Sequence, residues 1–213
     1  MDVGLNSDGV TNHCNWNSSE TPITGLDVAQ AMLKIACSSG FASLDSDKLA
    51  EGAANGEVIA GVSGVWNAKK LSAAYGDGYS AAKLPTYTVA GRKIQMASFA
   101  GYKLIGINAY SENPEWAMKL AEELTSEENQ LRFFKFRGEC PANVKAADTD
   151  IVKSSPAVKA LSEQSKYSYS QLVDDKFWDP TYIFGTTIAS KNADSRDLQE
   201  LLDTMADGIT AKE

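Results

Sequence analysis

The chain has 213 residues, 43% of them apolar and 23% charged, with a net charge of −8 and a pI near 4.8. These are globular values with ample length for a buried core, which excludes wholesale disorder. An acidic surface repels phosphate backbones and anionic lipids, and no apolar run is long enough for a bilayer span, so neither nucleic-acid nor membrane binding is expected.

Residues 1–23 are polar and turn-rich and read as a loop that begins as a strand end. Their opening, MDVGLNSDGV, has neither a basic n-region nor an apolar h-region, so no signal peptide is expected in it. From Gly25 to Cys37, Leu26, Ala29, Met32 or Leu33, and Ala36 recur at helical spacing, with Thr24 or Asp27 as cap and Gly40 as stop. Leu44 to Ala54 reads as a shorter helix with Asp45 in capping position. Val58 to Val62 is a short apolar strand that runs into Ser63-Gly64-Val65-Trp66 and a helix, and a second strand closes at Leu84-Pro85.

A third apolar strand, Leu104 to Ala109, leads through Asn113-Pro114 into a helix from Pro114 to Thr125. Proline suits that first turn, where its missing amide hydrogen would have been unpaired. Ser126, followed by Glu127 and Glu128, caps a helix through Phe136 that Gly138-Glu139-Cys140-Pro141 breaks. Further helices are expected from Pro156 to about Ser165, from Pro180 to Ser190 and from Ser195 to Ala211. The last carries Leu198, Leu201, Leu202, Met205 and Ile209 on one face. Strands alternating with more numerous helices give an α/β class, helix-rich and with few strands.

Catalytic signals are weak. His13 is the sole histidine, and with no Gly-x-Ser-x-Gly elbow anywhere it reads as a surface residue. Asp174-Asp175 and Glu122-Glu123 are adjacent carboxylates that point apart, the habit of solvated surface rather than of a glycosidase pair. The GDG at Gly76–Gly78 reads as a turn, not a phosphate cradle. Cys14, Cys37 and Cys140 lack metal-like spacing, and their odd number leaves at least one thiol free. Two readings stand for them: a Cys14–Cys37 disulfide, or separate buried or partly buried thiols. No enzyme activity, cofactor or metal is expected.

The order of motifs carries more. NGE at Asn55–Glu57, SGVW at Ser63–Trp66, Leu84-Pro85, the Leu104–Ala109 strand with Asn113-Pro114, and Phe177-Trp178-Asp179-Pro180 followed by Phe184-Gly185 stand in one series. That series resembles the family 1 extracellular solute-binding proteins, the sugar-capturing subunits of bacterial ABC importers, and within them the maltose- and maltodextrin-binding branch. The resemblance implies a periplasmic-binding-protein-like (type II) fold. It covers nearly the whole chain but about half of a complete family member, which makes the chain a C-terminal portion. On that basis residues 1–91 and 138–213 belong to the second lobe, and 92–137 are an excursion belonging to the first. The missing N-terminal lobe is then a partner, and without it the excursion is expected to leave an exposed edge prone to self-association.

The resemblance further implies an oligosaccharide ligand, a maltodextrin by preference, and a membrane permease as partner. It implies an extracellular or periplasmic location, lipid-anchored at the cell surface in the full-length protein. Trp66 corresponds to a tryptophan that stacks on sugar, with Val65 where proline is common, and Trp178 to another wall of that site. Aromatic faces and planar polar groups are what pyranose recognition needs. Asp179 is a hydroxyl acceptor or the N-cap of the helix after it. Trp16, in the polar NHCNWN loop, is a ligand contact or a loop anchor, and Tyr102 lies where the excursion approaches the cleft. Trp116, at helical spacing with Leu120 and Leu124, reads as core; Tyr167 and Tyr169 stay open. The alternative function is a non-transport surface glycan-binding or scaffold module, in which filled packing around Trp66 and Trp178 replaces an open groove.

Overall fold

A computed structural model describes residues 2–212. In chain order the strands are β1 (Val3–Leu5), β2 (Asn12–Cys14), β3 (Thr86–Val89), β4 (Arg92–Gln95), β5 (Ser98–Ala100) and β6 (Ser168–Ser170). The helices are α1 (Gly25–Ala36), α2 (Ser46–Ala54), α3 (Ala68–Tyr75), α4 (Pro114–Thr125), α5 (Glu127–Arg137), α6 (Val144–Ala147), α7 (Asp150–Lys153), α8 (Pro156–Gln164), α9 (Trp178–Ala189) and α10 (Leu198–Thr210). The residues form two compact units, each assembled from separate stretches of chain.

The first unit takes Met1–Ser43, Pro85–Phe99 and Tyr169–Glu213. Its core is a three-helix cluster in which Ala29 and Ala36 of α1 meet Phe184 and Ile188 of α9 and Leu201, Leu202, Met205 and Ile209 of α10. Small residues on α1 let α9 and α10 come close to it. Thr24 and Asp27 close a reciprocal capping box on α1: the Thr24 hydroxyl accepts from the Asp27 N–H, and Asp27 accepts from the Thr24 N–H. The β1–β2 hairpin pairs Val3 with Cys14 and Leu5 with Asn12. The β3–β4 hairpin turns through Ala90 and Gly91, both at positive φ, as a two-residue hairpin turn requires.

The second unit takes Leu44–Leu84 and Ala100–Ser168. Its interior is slight: Leu49, Ala53, Phe134, Ala146, Val152, Ala157 and Ala160 are the apolar side chains it buries. Asp45 caps α2, Asn143 caps α6 and Ser155 caps α8, while Gly138 ends α5 in the left-handed conformation.

Two of the three expected strands do not form. Val58–Val62 and Leu104–Ala109 are irregular, and Ile59, Val62 and Leu104 are exposed. The physical reason is pairing. A strand exists only beside a neighbour that takes its backbone groups, and among the described residues neither segment has one. The strand expected to close at Leu84-Pro85 instead begins after it, as β3. Trp116 is not core: α4 buries none of its residues, and Trp116 is 70% exposed with Lys119 Nζ 4.8 Å above its ring. The three cysteines are free, so the Cys14–Cys37 disulfide is absent, and Cys37 and Cys140 are exposed rather than buried.

Candidate functional site

The first unit holds a chain of aromatic rings around the turn that begins α9. Asp174 opens a short 3-10 turn, Asp175–Phe177, by accepting the Lys176 N–H, and the turn delivers Phe177 inward and Trp178 outward. Phe177 is 5% exposed and is the hub. Trp16 meets it edge-on at 5.9 Å and 81°, Phe99 at 5.5 Å and 69°, and Trp178 at 5.1 Å and 89°. Phe99 also supports Trp178 directly, at 6.4 Å and 71°. Edge-to-face contacts fix a ring's plane while leaving its other face free. Trp178 is accordingly held on two sides and still 42% exposed.

Trp16 reaches the same cluster from the N-terminal loop, which is seated on α10. Asn17 donates to Asp203 at 3.0 Å, and Gln199 Nε2 donates to the Asn17 carbonyl at 3.0 Å. The loop passes so close to α1 that a Cβ on Gly25 would fall 1.8 Å from the Trp16 carbonyl oxygen. Trp16 packs half-buried against the core. Asp179 is not a cap: the N-cap of α9 is Phe177, and Asp179 sits in the first turn, exposed, where a negative charge is favoured by the helix dipole. Together with Asp175, Lys176, Pro180, Gly208 and Ala211 it lines an open depression of about 410 Å³.

In the second unit Trp66 lies on a 3-10 turn, Val65–Asn67, leading into α3. Asn67, the next residue, is buried and donates to the Ser46 carbonyl at 3.2 Å. The indole folds back over Gly64, where an added Cβ would come within 2.0 Å of the ring, yet Trp66 is 62% exposed. Tyr102 is 84% exposed on the irregular segment before α4 and has no aromatic neighbour among the described residues.

The site residues read from sequence thus divide between the units, with Trp16, Trp178 and Asp179 in the first and Trp66 and Tyr102 in the second. Phe99 escaped sequence reading, because nothing in SFA marks it as a prop for a ring far along the chain. Phe177 could have been found: it stands between a capping aspartate and an exposed tryptophan. Among the described residues no group of three or more His, Cys, Asp or Glu is placed to hold a metal, and no helix is long and apolar enough to cross a membrane. His13 is bonded to Asp2 at 3.0 Å at the surface. Burial pushes the Cys14 thiol above its ordinary range, away from the thiolate form a nucleophile needs.

Residues 11–160 match a family described as bacterial extracellular solute-binding protein. The galactooligosaccharide-binding protein of Bacillus subtilis (strain 168) is 32% identical over 161 residues, 74% of this chain and 37% of that protein. A solved maltodextrin-binding protein from L. casei BL23, without ligand, superposes with a TM-score of 0.73 at 20% identity, covering 93% of this chain and 53% of that one. Another structure, determined with acarbose, gives a TM-score of 0.76 at 28% identity over 87% of this chain and 51% of its own. The chain therefore spans about half the length of these solved structures and 37% of the curated relative.

Proposed function

Because the chain belongs to the bacterial extracellular solute-binding proteins and has a helix-rich, type II periplasmic-binding-protein-like α/β fold, we propose that it serves in the oligosaccharide-capturing subunit of an ABC importer. The observation that carries this reading is Trp178, fixed by Phe99 and Phe177 yet with a face left open. A rigid aromatic face is the element a pyranose packs against, and rigidity lowers the entropic cost of binding. Trp66, seated over Gly64 and largely exposed, is a second such face. Open rings support capture over a scaffold role, which would fill the space around them.

No covalent chemistry is involved. The sugar is an oligosaccharide: the B. subtilis relative takes galactooligosaccharides by name, and the L. casei one maltodextrins. We infer an α-glucan for this chain on the order of its motifs, with a galactooligosaccharide as the competitor. The remaining portion of the full-length protein and a membrane permease are the inferred partners.

Tryptophan fluorescence titrations with maltotetraose and with galactotriose test the proposal, on this chain and on its full-length parent. A saturable response to one of them, lost in Trp178→Ala, is expected. A parent protein that responds to neither sugar overturns the reading.

A further inference from the structure

Trp178 owes its orientation to the turn before it, and that turn is gripped from the opposite end of the sequence. Asn12, on β2, is 4% exposed. Its carboxamide meets Asp174 in both directions: Nδ2 donates to Asp174 Oδ1 at 3.0 Å, and the Asp174 N–H donates to Asn12 Oδ1 at 2.8 Å. The same Nδ2 reaches the Ile209 carbonyl on α10 at 3.4 Å. Asp174 Oδ1 also accepts the Lys176 N–H at 2.7 Å, and the Asp174 carbonyl accepts the Phe177 N–H at 3.1 Å. On the far side of the turn, Lys176 Nζ donates to the Ala211 carbonyl at 3.0 Å.

We propose that Asn12 and Asp174 form a positioning clamp that sets the plane of the Trp178 ring. Only a carboxamide offers a donor and an acceptor side by side to a residue presenting a backbone N–H and a carboxylate. The burial of Asn12 makes the pair consequential, since removing its amide takes from the part-buried Asp174 N–H the acceptor it has in the fold. Phe177 and Trp178 are consecutive and in edge contact, so a turn that rotates carries both rings with it. Asn12 touches no ligand in this arrangement; it acts through the turn. The clamp stands on the geometry alone, whereas its consequence for sugar rests on the reading of Trp178 given above.

The chain labelled with 5-fluorotryptophan resolves the two parts. The Trp178 signal in the fluorine NMR spectrum is assigned by its loss in Trp178→Phe. Asn12→Ala is expected to shift and broaden that signal while those of Trp66 and Trp116, in the second unit, keep their positions. The exchanged pair, Asn12→Asp with Asp174→Asn, again sets a donor against an acceptor between the two side chains but offers no donor to the Ile209 carbonyl, so it is expected to return the Trp178 signal part of the way towards its original place. If Asn12→Ala does not fold, Asn12→Ser replaces it in the same measurement. An unmoved Trp178 signal in a folded Asn12 variant overturns the clamp.

Titration with maltotetraose and galactotriose then addresses the wall. Asn12→Ala removes both bonds to Asp174 and the one to Ile209, and re-ordering the released turn on binding predicts about tenfold weaker affinity, recovered in part in the exchanged pair. A moved signal with unchanged affinity upholds the clamp and removes Trp178 from the sugar site. No binding by the unsubstituted chain leaves the fluorine signal to decide the clamp by itself.

Discussion

Single residues set the limits of what this chain tolerates, and Gly25 is the sharpest case. In a helix interior alanine would ordinarily be favoured over glycine by about 1 kcal/mol, and at Gly25, the first residue of α1, that figure is an upper bound. Here the new Cβ would fall 1.8 Å from the Trp16 carbonyl oxygen, and because that obstacle is backbone the loop or α1 must move. Overpacking of this kind costs about 1–3 kcal/mol, so the clash decides the sign. Gly25→Ala is expected to lower the urea midpoint and to alter Trp16 emission; a midpoint unchanged or raised would show that the loop is not seated on α1. Asp8 offers a prediction in pH. The Thr11 hydroxyl, the Thr11 N–H and the Val10 N–H, in that order, hold its carboxyl down at about 2 from an ordinary 3.8. A lowered carboxylate stabilises the fold fully above the unfolded value and loses that contribution as pH falls through the folded one. The β1–β2 turn should therefore keep its protected Thr11 amide down to about pH 4 and lose it between there and about 2. Amide exchange in Asp8→Asn should lack that step. Legibility at this scale was uneven. The sequence marked Trp66 and Trp178 through the motifs around them, but Asn12 looked like any other polar residue in a turn-rich loop. Its partner lies 162 residues away, beyond the reach of any local pattern.

Elements were legible wherever the signal was local. Thr24 with Asp27, Asp45, Ser126, Gly138 and the prolines at 114 and 156 all act at helix ends as their chemistry requires. Helices complete their own hydrogen bonds, so such signals suffice. Strands do not, and Val58–Val62 and Leu104–Ala109 show the consequence: apolar, strand-like sequence without a neighbour stays irregular. The error over α4 has a related origin. The spacing of Trp116, Leu120 and Leu124 does put them on one face, but spacing cannot say whether anything covers that face, and here all three are exposed. Trp116→Ser should therefore leave the stability of this chain within about 0.5 kcal/mol, as substitutions at uncovered positions do. A loss of several degrees in melting temperature would mean that the face is covered in solution.

At the scale of the molecule, the exposed aromatic and aliphatic side chains of the second unit exceed what isolated soluble chains usually show. Tyr102, Leu104, Trp116, Leu120 and Phe136 are each exposed by more than half. Residues 102–107 add to this a stretch whose backbone makes no hydrogen bond among the described residues. Such a surface is expected to associate with itself. Sedimentation velocity should show the weight-average mass rising with concentration, and Leu104→Lys should reduce that rise; a monomer at all concentrations would refute it. The division into units came from packing between distant segments and was not readable from any one of them.

The first unit's assembly from three separated stretches has a consequence in time. Its core brings α1, near the beginning of the chain, against α9 and α10, near the end, and bonds such as Asn17 to Asp203 close loops of 186 residues. During synthesis α1 is made well before α9 and α10, and until they follow it has β3 alone among these elements to pack against. Contacts so distant in sequence form slowly, because the entropy of closing the loop is lost before any burial is gained. The core of the first unit therefore cannot close until α10 is made, whereas the second unit, whose last residue is Ser168, needs nothing from that helix.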